Sequence, residues 1–233
     1  MSVVAVVPAA GVGSRMGADR PKQYLPLFDT TILEHTVNQL LGTECIERVY
    51  IAISQNDQYF HELQFDDKTR ITRVTGGETR AESVLNALAA VAEKYETNTL
   101  VVVHDAARPG ITPQLILKAV QVAEQDPQNG TVVCVKATDT MKSVSNGLVN
   151  KTLNREHIYH ALTPQIFELK SLQAHLCNAL ESGVAVTDES SAMEWAGLTP
   201  AVVEGNASLR KITCREDLIM VRALLEQASE DKG

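Results

Sequence analysis

Short runs of β-branched and apolar residues alternate with helix-patterned segments along most of this 233-residue chain. That alternation restricts the fold more than any other property of the sequence. The runs fall at 3–7, 48–54, 70–75, 99–103, 131–136, 201–204 and 209–212. Several, such as Val101-Val102-Val103, are apolar without interruption, as strands buried on both faces are. The helices between them have legible starts. Thr31 and Glu34 stand at capping-box spacing ahead of Val37, Leu40 and Leu41, and Thr213 and Glu216 stand likewise before the last helix. Thr112-Pro113 is a cap followed by proline at the first helical position. Ala81, Val84, Leu85, Leu88, Ala92 and Tyr95 form one 3.6-period stripe; Leu169, Leu172, Leu176 and Leu180 form another that stops at Gly183. The pattern predicts an α/β fold, an open, mostly parallel, Rossmann-like sheet with helices on both faces. The length suits a single domain over 1–233.

One segment departs from the rhythm. Residues 137–163 carry no helical stripe, and Asn146-Gly147 lies between two short strand-like runs, a strong hairpin signal. An inserted β-hairpin arm is expected there, acting as a lid or gripping a partner.

Composition narrows the function. Hydrophobic residues make up 44% and charged residues 21%, so the chain is expected to be globular. A net charge of −8 and an aromatic content of 4% argue against a surface that tracks nucleic-acid phosphates or stacks bases. No apolar run is long enough for a membrane span, and Val3 to Val7 lacks the basic flank of a signal peptide. Cys45, Cys134, Cys177 and Cys214 are scattered with no CxxC, which fits a reducing cytoplasm better than a zinc site or disulfide framework.

Ligands of such sheets sit beyond the carboxyl ends of the strands. The first such place is Pro8-Ala9-Ala10-Gly11-Val12-Gly13-Ser14-Arg15-Met16-Gly17, followed by Pro21-Lys22-Gln23. Small residues after a strand let backbone N–H groups approach a phosphate. Arg15, Arg20 and Lys22 against Asp19 make residues 1–28 net +2 within an acidic chain, so this loop is a candidate polyphosphate site. The third glycine of the dinucleotide fingerprint is replaced by Met16, and Gly17 is followed by Ala18 rather than the lysine of a Walker loop. The second place is Val103-His104-Asp105-Ala106-Ala107-Arg108-Pro109. A lone carboxylate two residues past a strand suits Mg²⁺ shared with phosphate oxygens. His104 reads as structural, since no second His or Cys lies at ligand spacing, and His157 with His160 lacks further ligands. The third is Gly76-Gly77-Glu78-Thr79-Arg80-Ala81-Glu82-Ser83, where two glycines admit a flat ligand and Ser83 faces it from the first helical turn. Arg155, Leu162-Thr163-Pro164-Gln165, Thr187-Asp188-Glu189 (Thr187 read as an N-cap) and Arg210-Lys211-Ile212-Thr213 complete the set.

The motifs GxGxRM…PKQ, GG-x-x-R-x-x-S, HDAARP, DTMK, ALTPQ, TDE-S and K-I-T-x-x-E-D-L occur in this order along the chain. In this it resembles the 2-C-methyl-D-erythritol 4-phosphate cytidylyltransferases of non-mevalonate isoprenoid synthesis. The resemblance implies a homodimer that uses Mg²⁺, CTP and a polyol phosphate and releases diphosphate. It implies Arg15 and Lys22 as charge-stabilising catalytic residues and Asp105 as the metal ligand. Ala9, Ala10, Gly11, Gly77 and Ser83 are implied for cytidine, and Arg155, Lys211, Thr187, Thr140, Thr163 and Arg108 for the acceptor. Ser208-Leu209 depart from the Asx-Asn pair usual two to three residues before the lysine of the last motif.

The residues suit the chemistry independently. A phosphate monoester oxygen is already a nucleophile, so the obstacle is charge, which Arg, Lys and Mg²⁺ relieve without a catalytic His or Ser. The alternatives are cytidylyl transfer to another polyol phosphate, such as ribitol 5-phosphate, and, outside the class, a nucleotide-binding dehydrogenase or a nucleotide sensor.

Overall fold

A computed structural model of the chain describes residues 1–11 and 20–230. The order is β1 (Val3–Pro8), β2 (Pro26–Leu27), β3 (Thr30–Thr31), α1 (Ile32–Leu41), β4 (Ile46–Ile53), β5 (Ile71–Thr75), α2 (Arg80–Ala92), β6 (Leu100–Val103), α3 (Pro113–Gln125) and β7 (Thr131–Lys136). There follow β8 (Lys142–Ser145), β9 (Leu148–Thr152), β10 (Tyr159–Glu168), α4 (Leu169–Glu181), α5 (Glu189–Trp195), β11 (Ala201–Glu204) and α6 (Arg215–Glu230).

Seven strands form the central sheet in the order β11-β7-β10-β6-β1-β4-β5. β1 is parallel to both of its neighbours, β4 and β6. β5 continues parallel to β4, and β11 runs parallel to β7. β10 is antiparallel to both β6 and β7. The mostly parallel sheet predicted from the apolar runs is therefore present, with one inversion inside it. β10 was not among the expected strands, because its first half is polar and exposed and only residues 163–167 turn buried.

The continuous apolar runs have a direct cause. Val3, Ala5 and Val7 of β1 point into a core shared with Leu33, Val37 and Leu40 of α1 and Ile116 and Ala119 of α3. Val4 and Val6 point the other way, against Val84 and Leu88 of α2 and Leu172 and Leu176 of α4. With both faces covered, every position of the strand must be apolar. Full burial stabilises each Val or Leu side chain by roughly 1.5–3 kcal/mol. A smaller cluster of Leu27, Ile32, Ala107, Ile212 and Val221 docks α6 beside the loop after β6.

Local signals held at two helices. Thr31 Oγ1 accepts from Glu34 N at 3.2 Å and Glu34 Oε2 from Thr31 N at 2.7 Å. Thr112 caps α3, whose first turn begins with proline. Three expectations need correction. Residues 209–212 are not a strand: a 3-10 turn at Ala207–Leu209 is followed by irregular backbone, and Leu209 and Ile212 are apolar because they pack into the core, not because they pair. The last helix is not boxed by Thr213 and Glu216; the Asp217 carboxylate accepts from Cys214 N at 3.1 Å and Thr213 N at 2.9 Å instead. At α5 the cap is Asp188, which accepts from Ser191 N at 3.0 Å, and not Thr187, whose own N–H is bound by Ser191 Oγ.

The expected hairpin is the separate sheet of β8 and β9. Asn146 (φ 51°) and Gly147 (φ 78°) both take the left-handed conformation that a two-residue I′ turn requires. From Tyr159 onward the chain belongs to the central sheet as β10. All four cysteines are free. Among the described residues no helix is long and apolar enough to cross a membrane.

His104, just past β6, is fully buried and joins β6 to β10. Thr163 Oγ1 accepts from Asp105 N at 3.1 Å and so offers its own proton to His104 Nδ1 at 3.0 Å. The imidazole proton is then on Nε2, which donates to the Arg108 carbonyl at 3.1 Å. This is the structural role expected for His104. Burial pushes its pKa down from 6.5 to about 4. Between those values the unfolded chain binds a proton that the native chain does not, so stability is complete above pH 6.5 and falls as the pH drops toward 4. The loss attributable to this group is roughly 3 kcal/mol. Urea unfolding of the wild type and His104→Gln at several pH values measures it; the variant's stability should decline less steeply in that window.

Candidate active site

Three strand ends meet at one side of the sheet, beyond β1, β5 and β6. After β1 the backbone of Ala9 is tied to β4 (Ala9 N to Ala52 O, 2.7 Å). The buried amide of Gln23 donates to the carbonyls of Ala9 (2.7 Å) and Gly11 (3.1 Å), which holds the start of the loop open. After β5, a Cβ on Gly76 would lie 2.5 Å from Ala10 Cβ and 2.9 Å from Ser83 Oγ. Only glycine lets these two loops approach so closely. Ser83 Oγ accepts from Gly77 N at 3.0 Å and donates to Thr79 O at 2.9 Å, fixing the turn onto the first turn of α2. Thr79 and Glu82 form a capping box there. Ala9, Ala10, Gly11, Lys22, Gln23, Gly77, Ser83, Arg80, Asp105 and Lys211 all border the resulting cleft of about 180 Å³. Lys22 Nζ donates to Ile212 O at 2.9 Å, so the chain after the first loop is joined to the segment that carries Lys211.

Asp105 lies at the floor. Its carboxylate is almost fully buried. Oδ1 accepts from Arg80 Nε at 2.9 Å; Oδ2 is 3.1 Å from Arg108 Nε and 2.9 Å from Lys211 Nζ. Burial alone would raise its pKa, but Arg80, Lys211 and Arg108 together outweigh burial and hold the carboxyl well below the usual carboxylate range. Arg108 Nη1 also donates to Leu209 O at 2.8 Å. A second cleft of about 270 Å³ opens on the far side of this cluster, bordered by Arg108, Thr163, Gln165, Thr187 and Asp188. Arg80, Asp105 and Lys211 border both clefts. They form the wall between them.

The two clefts thus gather most of the residues singled out in the sequence: Ala9, Ala10, Gly11, Lys22, Gly77, Ser83, Asp105 and Lys211 around the first, and Arg108, Thr163, Thr187 and again Lys211 around the second. Arg15 lies outside the described residues. Thr140 and Arg155 border neither cleft; both are exposed on the arm side, and Arg155 Nη1 donates to Thr138 O. His157 and His160 are exposed.

Three contributors were missed. Arg80, Glu189 and Gln165 all lie within quoted motifs, but their partners are distant in sequence. Arg80 Nη1 and Nη2 meet Glu189 Oε1 and Oε2 at 2.7 and 3.0 Å. Gln165 donates to Asp188 Oδ2 at 2.8 Å and accepts from Ser190 N at 2.7 Å, which seats the start of α5. One signal was available: a cation at the first residue of α2 opposes the helix dipole, so Arg80 needed a reason other than the helix.

The donor set limits what metal could bind. Among the described residues no three His, Cys, Asp or Glu side chains gather to hold an ion. Asp105 is a single carboxylate already facing three cations. It fits Mg²⁺, which takes one or two carboxylates and fills its other positions with phosphate oxygens and water, only when a polyphosphate brings the remaining negative charge.

The model of the 2-C-methyl-D-erythritol 4-phosphate cytidylyltransferase family matches residues 3–227. A 2-C-methyl-D-erythritol 4-phosphate cytidylyltransferase from Vibrio atlanticus is 46% identical over 98% of this chain and 97% of its own. One from Shewanella frigidimarina is 44% identical over 97% of each. The crystal structure of the Francisella tularensis cytidylyltransferase superposes with a TM-score of 0.82 at 32% identity, over 96% of this chain and 99% of that one. The chain belongs to the 2-C-methyl-D-erythritol 4-phosphate cytidylyltransferase family.

Proposed function

We propose that this protein transfers the cytidylyl group of CTP to 2-C-methyl-D-erythritol 4-phosphate, releasing diphosphate, in the synthesis of isoprenoid precursors. The observation that carries the reading is the pair of clefts divided by Arg80, Asp105 and Lys211. A nucleotide in the first and a phosphate monoester in the second meet at one cationic wall. The family match favours the methylerythritol acceptor over ribitol 5-phosphate.

The chemistry follows from the residues. Ala9, Ala10, Gly11, Gly77 and Ser83 offer small side chains and backbone edges to the cytidine. Arg108, Thr163, Thr187 and Lys211 receive the acceptor. An oxygen of the acceptor phosphate attacks the α-phosphorus; the bond from that phosphorus to the bridging oxygen of the β-phosphate breaks, and diphosphate leaves. No general base is needed, because the attacking oxygen is already ionised. What must be offset is repulsion between two anions and charge that accumulates on the α-phosphoryl oxygens, and Lys22 and Arg15 do this. Asp105 would hold Mg²⁺ together with the triphosphate, where the ion would supply Lewis-acid assistance. Its buried, ionised carboxylate is ready without prior loss of a proton.

The arm supports a two-chain site. Val144, Leu148 and Val149 of the hairpin are exposed, and a lone two-stranded hairpin is marginal in water. Covering these faces with the same arm of a second copy makes an isologous homodimer. Thr140 and Arg155 then serve the partner's acceptor cleft, which accounts for their distance from the clefts of their own chain.

The reading is tested by diphosphate release from CTP with 2-C-methyl-D-erythritol 4-phosphate or ribitol 5-phosphate at equal concentration. Turnover with the first, several-fold above the second and abolished by chelating divalent cations, is expected; none with the first refutes it. Lys22→Ala should lower kcat by about 10²–10³ with little change in the KM for CTP, because it removes a stabiliser of charge that develops in the transition state. The crossed arm is tested by refolding Lys22→Ala and Arg155→Ala chains together. About half of randomly paired dimers are mixed, each with one intact site of two, so about a quarter of wild-type activity should return. Activity at the mean of the two single variants, with mixed dimers confirmed, assigns Arg155 to its own chain.

A further inference from the structure

Both ends of the Arg80–Glu189 pair sit at the starts of helices. Glu189 is 0% exposed and is the first residue of α5; Arg80 is the first residue of α2. The carboxylate gains from the helix N-terminus beside it, and the guanidinium loses by the same effect. Glu189 takes both terminal nitrogens of Arg80 and leaves Nε aimed at Asp105 Oδ1. Every nitrogen of the guanidinium is therefore occupied, and it is the only cation on that oxygen among the described residues.

The other two cations on Asp105 both sit on Oδ2, and they differ in freedom. Arg108 is anchored a second time, to Leu209 O. Lys211 is 36% exposed at its side chain, ends in a point charge on a flexible stem, and faces the second cleft as well as the first. A phosphate entering either cleft competes with Asp105 for Lys211. Arg80 cannot move in this way without stranding Glu189, a buried carboxylate with no other cation beside it among the described residues, and an uncompensated buried charge is strongly disfavoured.

We propose that Glu189 is a positioning residue for the transfer reaction: by fixing both ends of the Arg80 guanidinium it keeps Arg80 on Oδ1 of Asp105 while Lys211 moves to the incoming phosphate. Asp105 thus retains its orientation, and Oδ2, still held by Arg108, loses one of its two cations and can face the nucleotide and its ion. The inference rests on the proposed activity. It adds a division of labour among three cations, one fixed through α5 and one mobile.

The test uses Glu189→Gln and the paired replacement Arg80→Met/Glu189→Leu in the full-length protein. Thermal unfolding, steady-state kinetics and calorimetric titration with CTP in the presence and absence of Mg²⁺ are measured for each. Glu189→Gln keeps a hydrogen-bonding side chain but loosens the grip. It is expected to lower kcat at least tenfold and to lose fivefold or more of the gain in CTP affinity that Mg²⁺ confers, with Mg²⁺-free affinity within twofold of wild type. The paired replacement removes both charges together, a change that buried pairs often tolerate. Its unfolding temperature should recover toward wild type while kcat and the Mg²⁺-dependent affinity do not. Wild-type kcat and a wild-type Mg²⁺ gain in either folded variant overturn the proposal and make the pair a structural tie. If the paired replacement does not fold, Glu189→Gln decides alone. Absence of turnover in the wild type defeats the assigned reaction instead, and calorimetry still reads the effect of Glu189 on the nucleotide site.

Discussion

The Asp105 carboxylate is the junction on which the site depends. It is buried at the carboxyl end of β6, where an isolated charge would be strongly disfavoured. It stays ionised because Arg80, Arg108 and Lys211 converge on it from α2, from its own loop and from the segment before α6. The outermost of these residues, Arg80 and Lys211, are 131 positions apart in the chain. The carboxylate therefore acts as a tie between parts of the fold. The cost of burying one anion has been met by bringing cations where a reaction between two anionic substrates needs them.

The sheet explains why this junction forms where it does. β1 lies between β6 and β4, and the chain leaves it in opposite directions on its two sides. The loops after β1 and β6 consequently splay apart and leave a cleft between them. Gly76 lets the loop after β5 come against Ala10, and Gln23 pins the carbonyls of Ala9 and Gly11. The antiparallel β10 brings Thr163 and Gln165 alongside β6, so the second cleft opens directly behind Asp105. The rigid, apolar centre of the sheet and its polar rim are two consequences of the same strand order.

Recurring local patterns made much of this legible beforehand. Continuous valine runs marked the parallel strands, because a strand covered on both faces has no polar position to spare. The Thr31–Glu34 and Thr112-Pro113 signals marked helix starts, because orphan N–H groups must be satisfied by nearby residues. Asn146-Gly147 marked the hairpin, because few residues accept two successive positive φ angles. Motifs at strand ends marked Ala9, Lys22, Gly77, Ser83, Asp105 and Lys211, which the fold does place around one cleft.

What escaped that reading has one physical character. The strand expected at 209–212 was judged on apolarity, yet Leu209 and Ile212 are buried by packing, and the sequence does not distinguish the two kinds of burial. Asp217 and Asp188, each one residue beyond Glu216 and Thr187, displaced the expected caps: Asp217 binds the N–H groups of Thr213 and Cys214, and Asp188 that of Ser191. Arg80 with Glu189, 109 residues apart, left only the trace of a cation at the wrong end of a helix. The sequence by itself determined the alternation of elements, the turn residues and the motif positions, since these depend on interactions over a few residues. Only the tertiary structure decided which cation meets which carboxylate, because long-range pairing follows from the order of strands in the sheet, and no short stretch of chain contains that order.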